Sequence, residues 1–81
     1  MLQIILSGKN ESANQDQIDK RGIENCNFAK IEKRAIGNAE IILSIYVCDD
    51  TRVNRAILVD WKKEDAVSKS FPGKILAWGE V

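Results

Sequence analysis

Aliphatic and β-branched residues are concentrated between Ala39 and Trp61. Two such runs, Glu40 to Cys48 and Val53 to Trp61, flank the tetrapeptide Asp49-Asp50-Thr51-Arg52. Strand propensity on both sides, with turn-forming Asp residues between, predicts a β-hairpin. In the first run Ile41, Leu43, Ile45 and Val47 make one continuous apolar face, while Glu40, Ile42, Ser44, Tyr46 and Cys48 make a mixed one. In the second, Val53, Ile57, Val59 and Trp61 alternate with Asn54, Ala56, Leu58 and Asp60, and Arg55 interrupts the apolar face near the tip.

Upstream, Leu2 to Ser7 reads as a strand, with Leu2, Ile4 and Leu6 on one face and Ile5 on the other. Lys9 to Asn25 is polar: Ser12 would cap a short helix across Ala13 to Arg21 that stops at Gly22, or the stretch is a loop with one helical turn. Asn27 to Ile36 reads as a helix, because Phe28, Ile31, Ala35 and Ile36 fall at i, i+3, i+7 and i+8. Asn27 would be its N-cap and Gly37-Asn38 its stop. A rival reading makes this segment a strand, with Gly37-Asn38 as a type II′ turn. That register sets Arg34, Glu32 and Lys30 opposite Ile41, Leu43 and Ile45, mixing charge with the most apolar face, and the helix is preferred for that reason. Downstream, Asp60 is a candidate N-cap for a helix from about Trp61 to Ser70, with Val67 and Phe71 on its buried side, ended by Phe71-Pro72-Gly73. Lys74 to Gly79 reads as the last strand.

The predicted order is strand, helix, strand, strand, helix, strand. This is the βαββαβ order of the ferredoxin-like, or split βαβ, sandwich. The expected fold is therefore α+β: a four-stranded antiparallel sheet with two helices on one face and the other face open. If Asn27 to Ile36 is a strand, the alternative is a five-stranded antiparallel sheet or small barrel with one helix. Phe28, Ile31, Ile41, Leu43, Ile45, Val59 and Val67 are expected to share one core. At 81 residues the chain is read as a single domain spanning 1–81. It would bury roughly 60–65% of the surface its unfolded form exposes, a thin margin that an interface would improve.

Charge and cysteine content change the picture in two ways. Twelve basic and twelve acidic residues leave a formal net charge of zero. A phosphate-binding protein usually carries a basic excess, so nucleic acid is the less favoured partner, and weak mutual repulsion is compatible with a homodimer. Cys26 and Cys48 are the only cysteines. Without a secretory signal they read as free thiols in a reducing compartment, and the protein is expected to be cytoplasmic. The opening Met1 to Leu6 is too short for a membrane span or a signal-peptide core.

No residue set carries a reaction. Histidine is absent, which removes Ser-His and Cys-His pairs, and two thiols alone do not complete a zinc site. Asp49-Asp50 resembles a magnesium pair but has no third acidic ligand in view, and reads as a polar turn. The glycines form neither a phosphate loop nor a dinucleotide fingerprint. The third-strand motif of RNA-recognition domains also fails, since Arg55-Ala56-Ile57-Leu58-Val59-Asp60-Trp61 lacks its glycines and central aromatics. No cofactor, metal or catalytic residue is expected.

What remains is surface. Lys30, Lys33 and Arg34 would line one face of the predicted helix, and Asp49, Asp50, Arg52 and Arg55 would mark the hairpin tip. Tyr46 and Trp78, if they lie on the open sheet face, would serve as anchors. These residues are the candidate protein-binding set. The chain begins with Met and reads as a complete small product with no chemistry of its own. The expected function is that of a non-catalytic protein-binding module: an inhibitor or modulator of a larger protein, of the antitoxin, immunity or phage-encoded type. Nucleic-acid binding through the open sheet face or the basic stripe is the alternative.

Overall fold

The computed structural model describes residues 1–69 and 73–81. Six elements follow in order: β1 (Leu2–Gly8), α1 (Glu11–Arg21), β2 (Cys26–Ile36), β3 (Ala39–Cys48), α2 (Arg52–Val67) and β4 (Lys74–Glu80). The strands form one antiparallel sheet in the order β2-β3-β1-β4. The α+β class, the four strands and the βαββαβ order are as expected, and the five-stranded alternative does not occur. Two segments, however, have exchanged identities.

The first is Cys26–Ile36, a strand rather than a helix. Its register against β3 sets Lys30 opposite Ile45, Glu32 opposite Leu43 and Arg34 opposite Ile41. Gly37, at φ 61°, turns the chain between Ile36 and Ala39, so the rival hairpin is the one that forms. A bulge between Phe28 and Lys30 explains the misleading pattern. Ala29 is an extra residue, so Phe28 and Ile31, three apart, point to the same side of the sheet. A strand with one bulge thus imitates the i, i+3 spacing of a helix.

The second is Arg52–Val67, a helix rather than the far strand of a hairpin. Asp49 and Asp50 precede it, and Thr51 caps it, its Oγ1 accepting from the Asn54 backbone N–H at 3.0 Å. The buried positions are Asn54, Leu58, Trp61 and Asp65, a helical period of which half is polar. The apolar periodicity was therefore hidden. The predicted helix start at Asp60 lies inside this helix, and its predicted end at Ser70 to Pro72 lies outside the described residues. Val53, Val59 and Val67 face outward, Val67 at 84% exposure.

In α1 the caps compensate for a sparse apolar face. Asn10, not Ser12, is the N-cap, its side chain accepting from Ala13 N–H at 2.8 Å, and Gly22 closes the helix at φ 74°. Only Asn14 and Ile18 of this helix are buried.

Both helices pack on one side of the sheet, α1 over β1 and β3 and α2 beside β4. The core there is Leu2, Ile4, Leu6, Ile18, Tyr46, Cys48, Leu58, Trp61 and Ile75. Of the expected core, Phe28 and Val59 are 50% and 40% exposed, and Ile41 and Leu43 are half-buried. The mixed face of β3, not its continuous apolar face, is the one the helices cover.

Buried polar side chains tie the elements together. Asn54 donates to the Glu24 and Asp49 carbonyls, at 2.9 and 2.8 Å, and accepts from Glu24 N–H at 2.9 Å. Asp65 accepts from Ile75 N–H at 2.6 Å, fixing the start of β4 to α2. Both are satisfied buried groups rather than catalytic ones. Cys26 and Cys48 stand opposite one another across β2 and β3 and are joined by a disulfide. The expectation of free thiols is overturned, and with it the reason for assigning a reducing compartment.

Candidate protein-binding surface

Alternation along β1 and β3 sends Ile5, Ile41, Leu43, Ile45 and Val47 to the side of the sheet that carries no helix. Ile5 pairs with Ile45 on one side and Ala77 on the other, so the aliphatic stripe runs across three strands. Ile45 is almost fully buried among its sheet neighbours, and the others are half-buried. At one end a groove of about 440 Å³ opens between Ile41, Leu43, Ala35, Ile36 and Leu76, with Arg34 at its border. Ile36 and Leu76 are exposed there.

The predicted basic stripe is divided by the strand. Lys30 and Arg34 project to the open face and share Glu32 between them, at 3.1 and 3.3 Å. These hydrogen bonds, that of Lys30 first and that of Arg34 second, hold the Glu32 carboxyl below the usual Glu value. Lys33 points to the opposite side, paired with Ile42. The border of the stripe is therefore charged but partly self-neutralised.

The predicted hairpin tip is instead the entry to α2. Arg55 forks onto Asp50, at 2.6 and 2.9 Å, and also meets Glu80 at the end of β4. The Arg55 guanidinium depresses the Asp50 pKa, and the two carboxylates raise that of Arg55. Arg55 thus joins α2 to β4 instead of standing free. Asp49 accepts Asn54 through its carbonyl, and Arg52 is exposed with no ion pair among the described residues.

Tyr46 and Trp78 do not lie on the open face. Tyr46 is 2% exposed, and its hydroxyl donates to Gln15 Oε1 of α1 at 3.0 Å. Burial, then the carboxylates of Asp19 and Glu11, raise its pKa. Phe28 stacks edge-on against it at 5.8 Å and remains half exposed beside α1. Trp78 packs against the helix-side core, next to Val59, Lys62 and Ala66 of α2. Trp61 lies under Arg21. The three described aromatic side chains other than Phe28 are thus in or against the core, and Phe28 shares their side of the sheet.

The residues that sequence reasoning missed are the aliphatic ones. Ile41, Leu43, Ile45 and Val47 were legible as a face, and the first three were assigned to the core. Among the described residues, no group of three acidic or cysteine side chains is placed to hold a metal ion, and no helix is long and apolar enough to cross a membrane. No family model matches the chain, and no curated protein or solved structure matches it significantly.

Proposed function

We propose that this domain acts by binding another protein, as a non-catalytic inhibitor or modulator of a larger partner. The observation that carries this reading is the aliphatic stripe Ile5, Ile41, Leu43, Ile45 and Val47 on the face without helices. Half-buried aliphatic residues gathered on one face gain free energy when a complementary apolar surface covers them, at about 25 cal/mol per Å² of apolar area. The partner it fits presents a complementary apolar patch, because Arg34 at the groove border is already paired with Glu32.

Nucleic acid is the weaker reading. Single strands stack on aromatic platforms, and the aromatic side chains described here lie on the helix side. The basic residues on the open face, Lys30 and Arg34, already share a carboxylate.

The test uses wild type and a Leu43→Glu variant as paired baits, followed by calorimetry with the retained protein. Stoichiometric binding by wild type, lost in a variant of unchanged circular dichroism, supports the reading. Undiminished binding by the variant moves the site elsewhere. Binding of single-stranded nucleic acid that weakens steeply with salt replaces the reading with the alternative.

A further inference from the structure

We propose that β2 is a self-pairing edge. Two copies of the chain would join antiparallel through β2 about a two-fold axis at Ile31, making one continuous eight-stranded sheet.

The strand is long, terminal in the sheet and uncovered. Among the described residues β2 pairs only with β3, so its outer side carries backbone N–H and C=O groups that no described strand pairs. The helices pack chiefly on β1, β3 and β4, and most residues of β2 are exposed. Phe28 and Ile31 are 50% and 37% exposed on the helix side. Such an edge normally needs protection by charge or by a bulge, and β2 has both. The placement of these two features argues for self-pairing.

With Ala29 set aside as the bulge residue, four paired residues precede Ile31 and five follow it, of which Ile36 lies beyond the self-paired stretch. Cys26, Asn27, Phe28 and Lys30 precede it, and Glu32, Lys33, Arg34 and Ala35 follow it. Folding this string on itself about Ile31 keeps every pair on a common face of the sheet. Lys30 meets Glu32 of the other copy, twice by symmetry. Phe28 meets Lys33, whose alkyl stem and ammonium both suit an aromatic ring. Asn27 meets Arg34, and Ile31 meets its own counterpart.

Neighbouring registers do not work. A two-fold axis at Lys30, Glu32, Lys33 or Arg34 sets that charged residue against itself. An axis at Glu32 also sets Lys30 against Arg34. Like charges directly opposite destabilise a strand pair, and opposite charges stabilise it. Ile31 is thus the centre that sets Lys30 against Glu32 and no like charges opposite one another, and the zero net charge of the chain opposes association little. The helix-free stripe is left open on both copies, so this inference does not rest on the proposed function.

The experiment is sedimentation equilibrium from low micromolar to several hundred micromolar. Wild type is expected to show a monomer–dimer equilibrium. Lys30→Glu and Glu32→Lys, made singly, each set like charges opposite one another twice and should weaken the dimer by about tenfold or more. The double exchange K30E/E32K restores opposite charges and should restore the dimer. An equimolar mixture of the two single variants should form a heterodimer that neither forms alone. Circular dichroism and thermal melts of each variant confirm that the monomer is folded. Wild type that stays monomeric throughout overturns the proposal, and so does a dimer indifferent to single reversals. Failure of both the double exchange and the mixture to restore association overturns the register.

Discussion

Asn14 of α1 donates from Nδ2 to Ser44 Oγ of β3 at 2.8 Å, and both residues are fully buried. The same nitrogen reaches the Ile42 carbonyl at 3.3 Å, while Oδ1 has no partner among the described residues and lies where a Cβ on Gly8 would stand. A helix with one buried aliphatic residue is held to the sheet in part by this polar link. Asn14→Ala is expected to cost about 1–3 kcal/mol, the range for leaving a buried partner unsatisfied. A double-mutant cycle with Ser44→Ala in urea melts should return a coupling of at least ~0.5 kcal/mol. Additive losses would show that the hydrogen bond contributes nothing specific.

The two faces of the sheet should respond differently to truncation. Leu58 of α2 is fully buried against the core, and Leu58→Ala should cost about 2–5 kcal/mol. Leu43 is half-buried on the open face, and Leu43→Ala should cost about 1 kcal/mol. Equal losses in denaturant melts would mean that the open face is covered in solution.

The Cys26–Cys48 bridge closes a loop of sequence separation 22. Cross-linking a loop of that length restricts the unfolded chain by about 3 kcal/mol. Reduction, or replacement of Cys26 and Cys48 by Ser and Ala, should therefore lower the melting temperature measurably while leaving the circular dichroism spectrum at low temperature unchanged. A melt insensitive to reductant would show that the bridge does not form in solution.

Arg21 forks onto Glu64, at 3.2 and 3.0 Å, joining α1 to α2 while its guanidinium lies 4.4 Å from the centre of the Trp61 ring. The Arg21 hydrogen bond holds the Glu64 carboxyl below its ordinary value of 4.5. Asp50 and Glu32 are lowered in the same sense by Arg55 and by Lys30. A carboxyl depressed in the folded state binds its proton less readily than in the unfolded chain. Its contribution is present above the unfolded pKa and disappears as pH falls through the folded one. Stability should thus decline on acidification from about pH 5 downward, and Glu64→Gln should decline less steeply than wild type. Urea midpoints measured against pH check this, and parallel curves would remove Glu64 from the account.

Strand propensity in Leu2 to Ser7, Glu40 to Cys48 and Lys74 to Gly79 was enough to place β1, β3 and β4, because those segments are short β-branched or apolar runs bounded by turn residues. The other elements were legible in part. The Gly37-Asn38 turn and its register were written in the chain, but Ala29 shifts the parity of β2 and turns two-residue spacing into three. In α2 the helical period runs through Asn54 and Asp65, which count as polar in any hydrophobic pattern and are buried only because Glu24, Asp49 and Ile75 supply their hydrogen-bond partners. The two misassignments compensated, a helix for a strand and a strand for a helix, and so the α+β order survived them.

The sequence by itself determined that β3 has a continuous aliphatic face and a mixed one. Only the tertiary structure decided which face looks outward. Helix α1 has little apolar surface, and its Asn14 and Gln15 find their partners in Ser44 and the Tyr46 hydroxyl, both on the mixed face. Satisfying those polar groups holds α1 on that side, and the more apolar face is left open. Local pattern records how apolar a face is; the long-range hydrogen bonds that choose its side are formed between residues some thirty positions apart.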